Sequence, residues 1–155
     1  MYSLLVQLHS YLRYFLLFLL LFLIIRSFYY WQKRLPYNTQ TNIIGLYLLI
    51  CTHLQLVLGL ILYFISPYVS LTNFSSAMKD KVQRFFTVEH ASIMLLAIIL
   101  ITVARIGARR LQTDEAKHKR LFFLNTLALI LILGGIPWPF REAIGQGRHL
   151  LFHFF

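Results

Sequence analysis

Acidic residues are scarce in this chain. Five Asp and Glu stand against fifteen Lys and Arg, which leaves little material for paired-carboxylate chemistry, and no GxSxG, Walker or HExxH signature occurs. That argues against a hydrolase. Cysteine is almost missing as well. Cys51 is the only one, so no intramolecular disulfide forms, and the absence of CxxCH argues against covalently attached haem. Extended polar sequence is equally short: 59% of the residues are hydrophobic, and the mean hydropathy of +0.69 lies well outside the range of an ordinary soluble domain.

Long apolar sequence is what the chain has instead. Four runs, at 4–25, 43–65, 86–104 and 121–136, approach or exceed the length of about 20 residues that crosses a hydrocarbon core of roughly 30 Å. The expected fold is an all-α integral membrane protein, one domain over 1–155, built as an up-down-up-down bundle of four transmembrane helices. Pro137 and Pro139 mark the end of the last span. The first run has no basic n-region and no small-residue cleavage site, so it reads as a retained helix rather than a signal peptide.

The net charge of +10 is better explained by topology than by nucleic acid, because the basic residues lie in loops at membrane boundaries and form no recognition pattern. Nine of them, Arg26, Lys33, Arg34, Arg105, Arg109, Arg110, Lys117, Lys119 and Arg120, fall on one side. Five, Lys79, Lys81, Arg84, Arg141 and Arg148, fall on the other. The positive-inside rule then places both termini on the outer, periplasmic side of a bacterial inner membrane. Within the outer loop at 66–85, AMKDKVQRFF reads as one or two interfacial helical turns leading into the third span. In TDEAKHKR, Thr113 reads as the cap of the fourth helix, with Asp114 and Glu115 in its first turn, and His118 reads as solvated.

Ionisable groups inside a membrane are costly and default to function. The spans hold His9 and Arg13, four apart on one face, then His53 and Gln55, then Glu89 and His90 of FFTVEH, and finally Asn125. Counting about 1.5 Å per residue from the outer boundary places His9 and His90 level, roughly 6 to 8 Å deep, with His53 at about 18 Å. Two histidines at one depth, on helices diagonal in a four-helix bundle, suit the axial positions of one non-covalent haem b. Arg13, Arg84 and Arg141 are candidate partners for its propionates, and Glu89 would orient an imidazole or balance an arginine. The alternative needs no cofactor: interface histidines hydrogen-bonded to neighbouring helices, with Glu89 in an ion pair with Arg13 or Arg141. Met94 and His53 read as packing residues; the other options are Met94 as an axial ligand in place of a histidine, and a quinone-binding or second-haem position at His53 with Gln55 nearby. His149 and His153 read as interfacial.

Five stretches, HSYLRY at 9–14, HLQLVLGLILYFISP at 53–67, MKDKVQRFFTVEH at 78–90, TDEAKHKR at 113–120 and GIPWPFR at 135–141, resemble a family of small four-helix bacterial inner-membrane proteins loosely described as cytochrome b-like. The resemblance implies the four-helix topology and a cytochrome-like role. The expectation is an electron-transfer component without an independent catalytic motif, exchanging electrons with quinol or a periplasmic carrier inside a larger respiratory assembly. The alternative is a haem-free accessory subunit packed among other inner-membrane subunits.

Overall fold

A computed structural model of the chain describes residues 1–141 and 144. His149, His153 and Arg148 lie outside the described residues. Among those described, the structure is helical: α1 (Tyr2–Gln32), α2 (Thr39–Ile65), the single turns α3 (Phe74–Ala77) and α4 (Lys81–Arg84), a π-helical turn over Phe85–Glu89, α5 (His90–Arg110) and α6 (Asp114–Gly135). Four stretches are long and apolar enough to span a membrane, α4 joining α5 through the π-turn to make the third. The chain is a multi-pass membrane protein with a four-helix fold.

The helices outrun the apolar runs that announced them. α1 has 31 residues, about 46 Å at about 1.5 Å each. It continues past Ile25 because Arg26 is anchored: its Nε donates to Thr41 Oγ1 at 3.0 Å, and its terminal nitrogen donates to Asn38 Oδ1 and Gln40 Oε1, each at 3.2 Å. Its guanidinium also lies 4.2 Å over the Tyr30 ring. The aromatic stretch beyond it suits a membrane interface. The helix then closes in a Schellman motif, in which Arg34 takes φ 52° and the Leu35 N–H donates to the Tyr30 carbonyl at 2.9 Å. Pro36 comes next, as is common after such a cap.

Side-chain caps set the other boundaries. Asn38 Oδ1 accepts from the Thr41 N–H at 3.0 Å to open α2, and Thr113 Oγ1 accepts from the Ala116 N–H at 3.3 Å to open α6, as its place before Asp114 and Glu115 implied. The interfacial turn expected over AMKDKVQRFF forms as α4, which runs on through the π-turn into α5, and Asp80 starts it by accepting from the Gln83 N–H at 2.8 Å. α3 forms just before, ending on Ala77, the first residue of this stretch, where only a turn was expected.

α1 packs against α2 and α6, and α5 packs against α6 and α2, so α1 and α5 stand across the bundle from each other. The core is a layer of Leu16, Leu20, Leu23, Leu48, Ile101 and Ile132, with Ala97 and Ala128 at the close approaches. Small residues matter here because lipid tails are as apolar as the helices, leaving close packing rather than hydrophobicity to hold helices together. Toward the basic end, where the short turns at 33–38 and 111–113 lie, Ala104, Ala108 and Leu121 form a second cluster. His118 is a correction at that end. It is fully buried, its ring between Tyr30 and Tyr37 with centroids 5.5 Å from each. The turn at 33–38 folds over it, which a local pattern of lysines does not reveal.

Candidate functional site

The end of the bundle that carries Met1 holds His9, Arg13, Gln55, Glu89 and His90, whereas Asn125 is buried midway along α6, its side chain without a partner among the described residues. FFTVEH is built as a π-turn leading into the start of α5, and the extra residue per turn changes the facing of the residues beyond it. Glu89 is thereby turned outward, where its Oε1 accepts from Arg84 Nε at 2.9 Å. His90 is turned toward α6, where its Nδ1 donates to the Gly135 carbonyl at 2.8 Å. An acid and a histidine thus open an apolar span at little cost, each with a partner. Thr87, inside the π-turn, has its carbonyl capped by the Tyr63 hydroxyl at 2.9 Å and accepts the Ser70 N–H on its own hydroxyl at 3.2 Å.

His9 comes from the opposite side of the bundle. It lies within electrostatic reach of both His90 and Arg13. Gly59 of α2 faces the His9 ring, where a β-carbon would stand 3.4 Å from its Cε1. Gln55, one turn earlier on that face, donates from Nε2 to the His9 carbonyl at 2.9 Å. Three atoms around His9 are buried without a partner among the described residues: His9 Nδ1, Arg13 Nε and Gln55 Oε1.

Other expected pairings differ. Among the described residues Glu89 forms its ion pair with Arg84, five residues earlier and exposed, and Arg13 forms none. The Arg13 guanidinium instead lies 4.8 Å over the Tyr14 ring. Arg141 donates to the Gly134 carbonyl at 3.0 Å and sits 5.1 Å over the Phe85 ring, closing the end of α6 onto the π-turn. His53 is apart from this cluster. It is exposed on the outer face of α2, with Nδ1 bonded to the Leu49 carbonyl at 2.9 Å.

Sequence reasoning grouped Gln55 with His53, whereas the structure puts it against His9. The signal was available in the helix period: Gln55, Gly59 and Tyr63 recur every four residues on one face of α2, and His53 falls on another. Among the described residues no three His, Cys, Asp or Glu side chains gather as metal ligands, and a pair of axial histidines is below that number. Comparison with protein-family models, curated proteins and solved structures finds no match for the chain. Its functional reading therefore rests on the chemistry of this site.

Proposed function

We propose that the chain is a cytochrome b-like electron-transfer component of a bacterial inner membrane, holding one non-covalent haem near the outer face through His9 and His90. The observation that carries this reading is the set of buried, unpartnered polar atoms on His9, Arg13 and Gln55, together with a second histidine whose Nδ1 is anchored on a carbonyl. Buried polar groups nearly always find partners, so unpartnered atoms on three neighbouring side chains leave room for a ligand to satisfy them. An imidazole that donates one nitrogen to a backbone carbonyl keeps its lone pair on the other, the arrangement typical of metal-ligating histidine. The residues present fit the group in their chemistry: two neutral imidazoles on diagonal helices, and in Arg13 a cation without a carboxylate partner among the described residues to meet a propionate.

When bound, the haem supplies one-electron transfer between quinol and a periplasmic carrier. The protein's part is to fix the two imidazoles, with Gly135 orienting His90 and with Gly59 and Gln55 positioning His9. The basic end faces the cytoplasm in this reading, both termini lie outside, and other inner-membrane subunits complete the assembly. A haem-free accessory subunit is the second reading, favoured by His53: a polar ring exposed on the lipid-facing side of α2 suits contact with a partner helix.

An absorption spectrum of the protein purified after haem-replete growth tests the choice. A b-type Soret band should appear in wild type, vanish in His9→Ala and His90→Ala, and survive in His53→Ala. Wild-type protein without such a band would sink the haem reading and leave the accessory subunit in its place.

A further inference from the structure

At the basic end, remote from His9 and His90, Tyr37, Asn38, Thr39, Asn42, Arg109 and Lys117 line an open depression of about 300 Å³. Its walls are cationic. Arg109 makes no hydrogen bond or ion pair among the described residues, and Lys117 is shared with Asp114 at 2.9 Å. Arg105 lies buried behind the wall, donating to the Asn42 carbonyl at 2.7 Å. Tyr37 is within electrostatic reach of all three cations, so the charges converge on one place. Asn42 Oδ1 is buried in the wall without a partner among the described residues.

A second, apolar depression of about 410 Å³, open to the surroundings, lies on the outer surface of α2 itself, lined by Leu49, Ile50, His53, Leu54 and Val57. At about 100° per residue, Leu49 and His53 return to within about 20° of the direction of Asn42. The two depressions therefore share one helix face. Their separation along it, Asn42 to Leu49 and His53, is about 10 to 17 Å at about 1.5 Å per residue. Half of a hydrocarbon core of roughly 30 Å is of the same size. A polar, cationic depression at the boundary and an apolar one that far into the membrane match the phosphate and the acyl chain of a single lipid. Ile43 and Ile106, both exposed, supply apolar surface next to the polar depression.

We infer that this face of α2 binds an anionic glycerophospholipid, its phosphate between Arg109 and Lys117 and an acyl chain in the groove at 49–57. The site is independent of the haem reading, since it shares no residue with the histidine cluster. A free phosphate ion offers the same head-group chemistry but leaves the apolar groove unused, which makes the lipid the better occupant.

Native mass spectrometry of the full chain, released from detergent after exposure to phosphatidylglycerol or phosphatidylcholine, reads the retained lipid directly. Wild type should retain phosphatidylglycerol preferentially. Arg109→Gln with Lys117→Gln should weaken that retention about thirtyfold, from the loss of two cations near a membrane surface. Arg109→Lys should restore most of Arg109's share, and Lys79→Gln with Lys81→Gln at the other end should change nothing. Ile50→Trp, which fills the groove without touching charge, should also reduce retention. Circular dichroism of each variant establishes that the helices are intact. Equal retention of the two lipids by wild type, or undiminished phosphatidylglycerol on the double variant, would overturn the site. Inorganic phosphate displacing the lipid, with Ile50→Trp without effect, would overturn the lipid assignment in favour of a soluble phosphate.

Discussion

Gly134 and Gly135 are neighbours at the end of α6, yet substituting each with alanine should have opposite consequences. A β-carbon on Gly135 would stand 2.5 Å from Met94 Cε and 2.9 Å from Ile93 Cγ2, where carbon contacts prefer about 3.5 to 4.0 Å. Methionine can swing away. Ile93 is held to one rotamer by its branched β-carbon in a helix, so α5 itself must move. Overpacking of this kind costs about 1 to 3 kcal/mol, and the displaced helix carries His90 away from the Gly135 carbonyl, now 2.8 Å distant. Losing that hydrogen bond alone is worth about 0.5 to 1.5 kcal/mol. Gly134 has nothing within 4 Å of its would-be β-carbon, so alanine there should be neutral or gain a few tenths of a kcal/mol from helix propensity. Unfolding in mixed detergent micelles, monitored by helical circular dichroism, compares the two variants, and nitrogen-15 NMR of histidine-labelled protein tracks the His90 ring. Gly135→Ala should unfold at lower denaturing detergent and shift the His90 resonances, while Gly134→Ala should do neither. If both unfold together, the α5–α6 contact is looser than these distances require and Gly135 does not position His90.

Two further predictions concern the basic end. Arg34→Gly should stabilise the fold by about 0.5 to 1 kcal/mol, because relief of the left-handed strain at φ 52°, about 1 to 2 kcal/mol, outweighs the extra chain entropy that glycine adds to the unfolded state; an unchanged unfolding midpoint would mean that the α1–α2 turn relaxes freely. Reporter fusions at Thr113 and at the N-terminus should fall in opposite compartments, with Thr113 cytoplasmic, and finding both on one side would reject the proposed topology.

The span number comes from composition and run length alone, because hydrocarbon admits only stretches whose backbone groups are internally paired, and a run of about 20 apolar residues has few other fates. Local chemistry also carried the start of α6, since Thr113 caps through atoms three residues away. The expected depths of His9 and His90 rest on the same kind of count, since helical rise is constant. Partner choice could not be counted. Glu89 went to Arg84 rather than Arg13 from within a π-turn that the hydropathy of FFTVEH does not reveal. His118 was buried by a turn from another part of the chain, and Gln55 met His9 only once α2 had chosen which face to turn inward. The same choice of face set the cationic depression above the apolar groove. One-dimensional periodicity tells how far along a helix a side chain lies and which others share its side, but the rotation of each helix against its neighbours is set by close packing of residues such as Gly135, Ala97 and Ala104, and that is decided only when the helices meet.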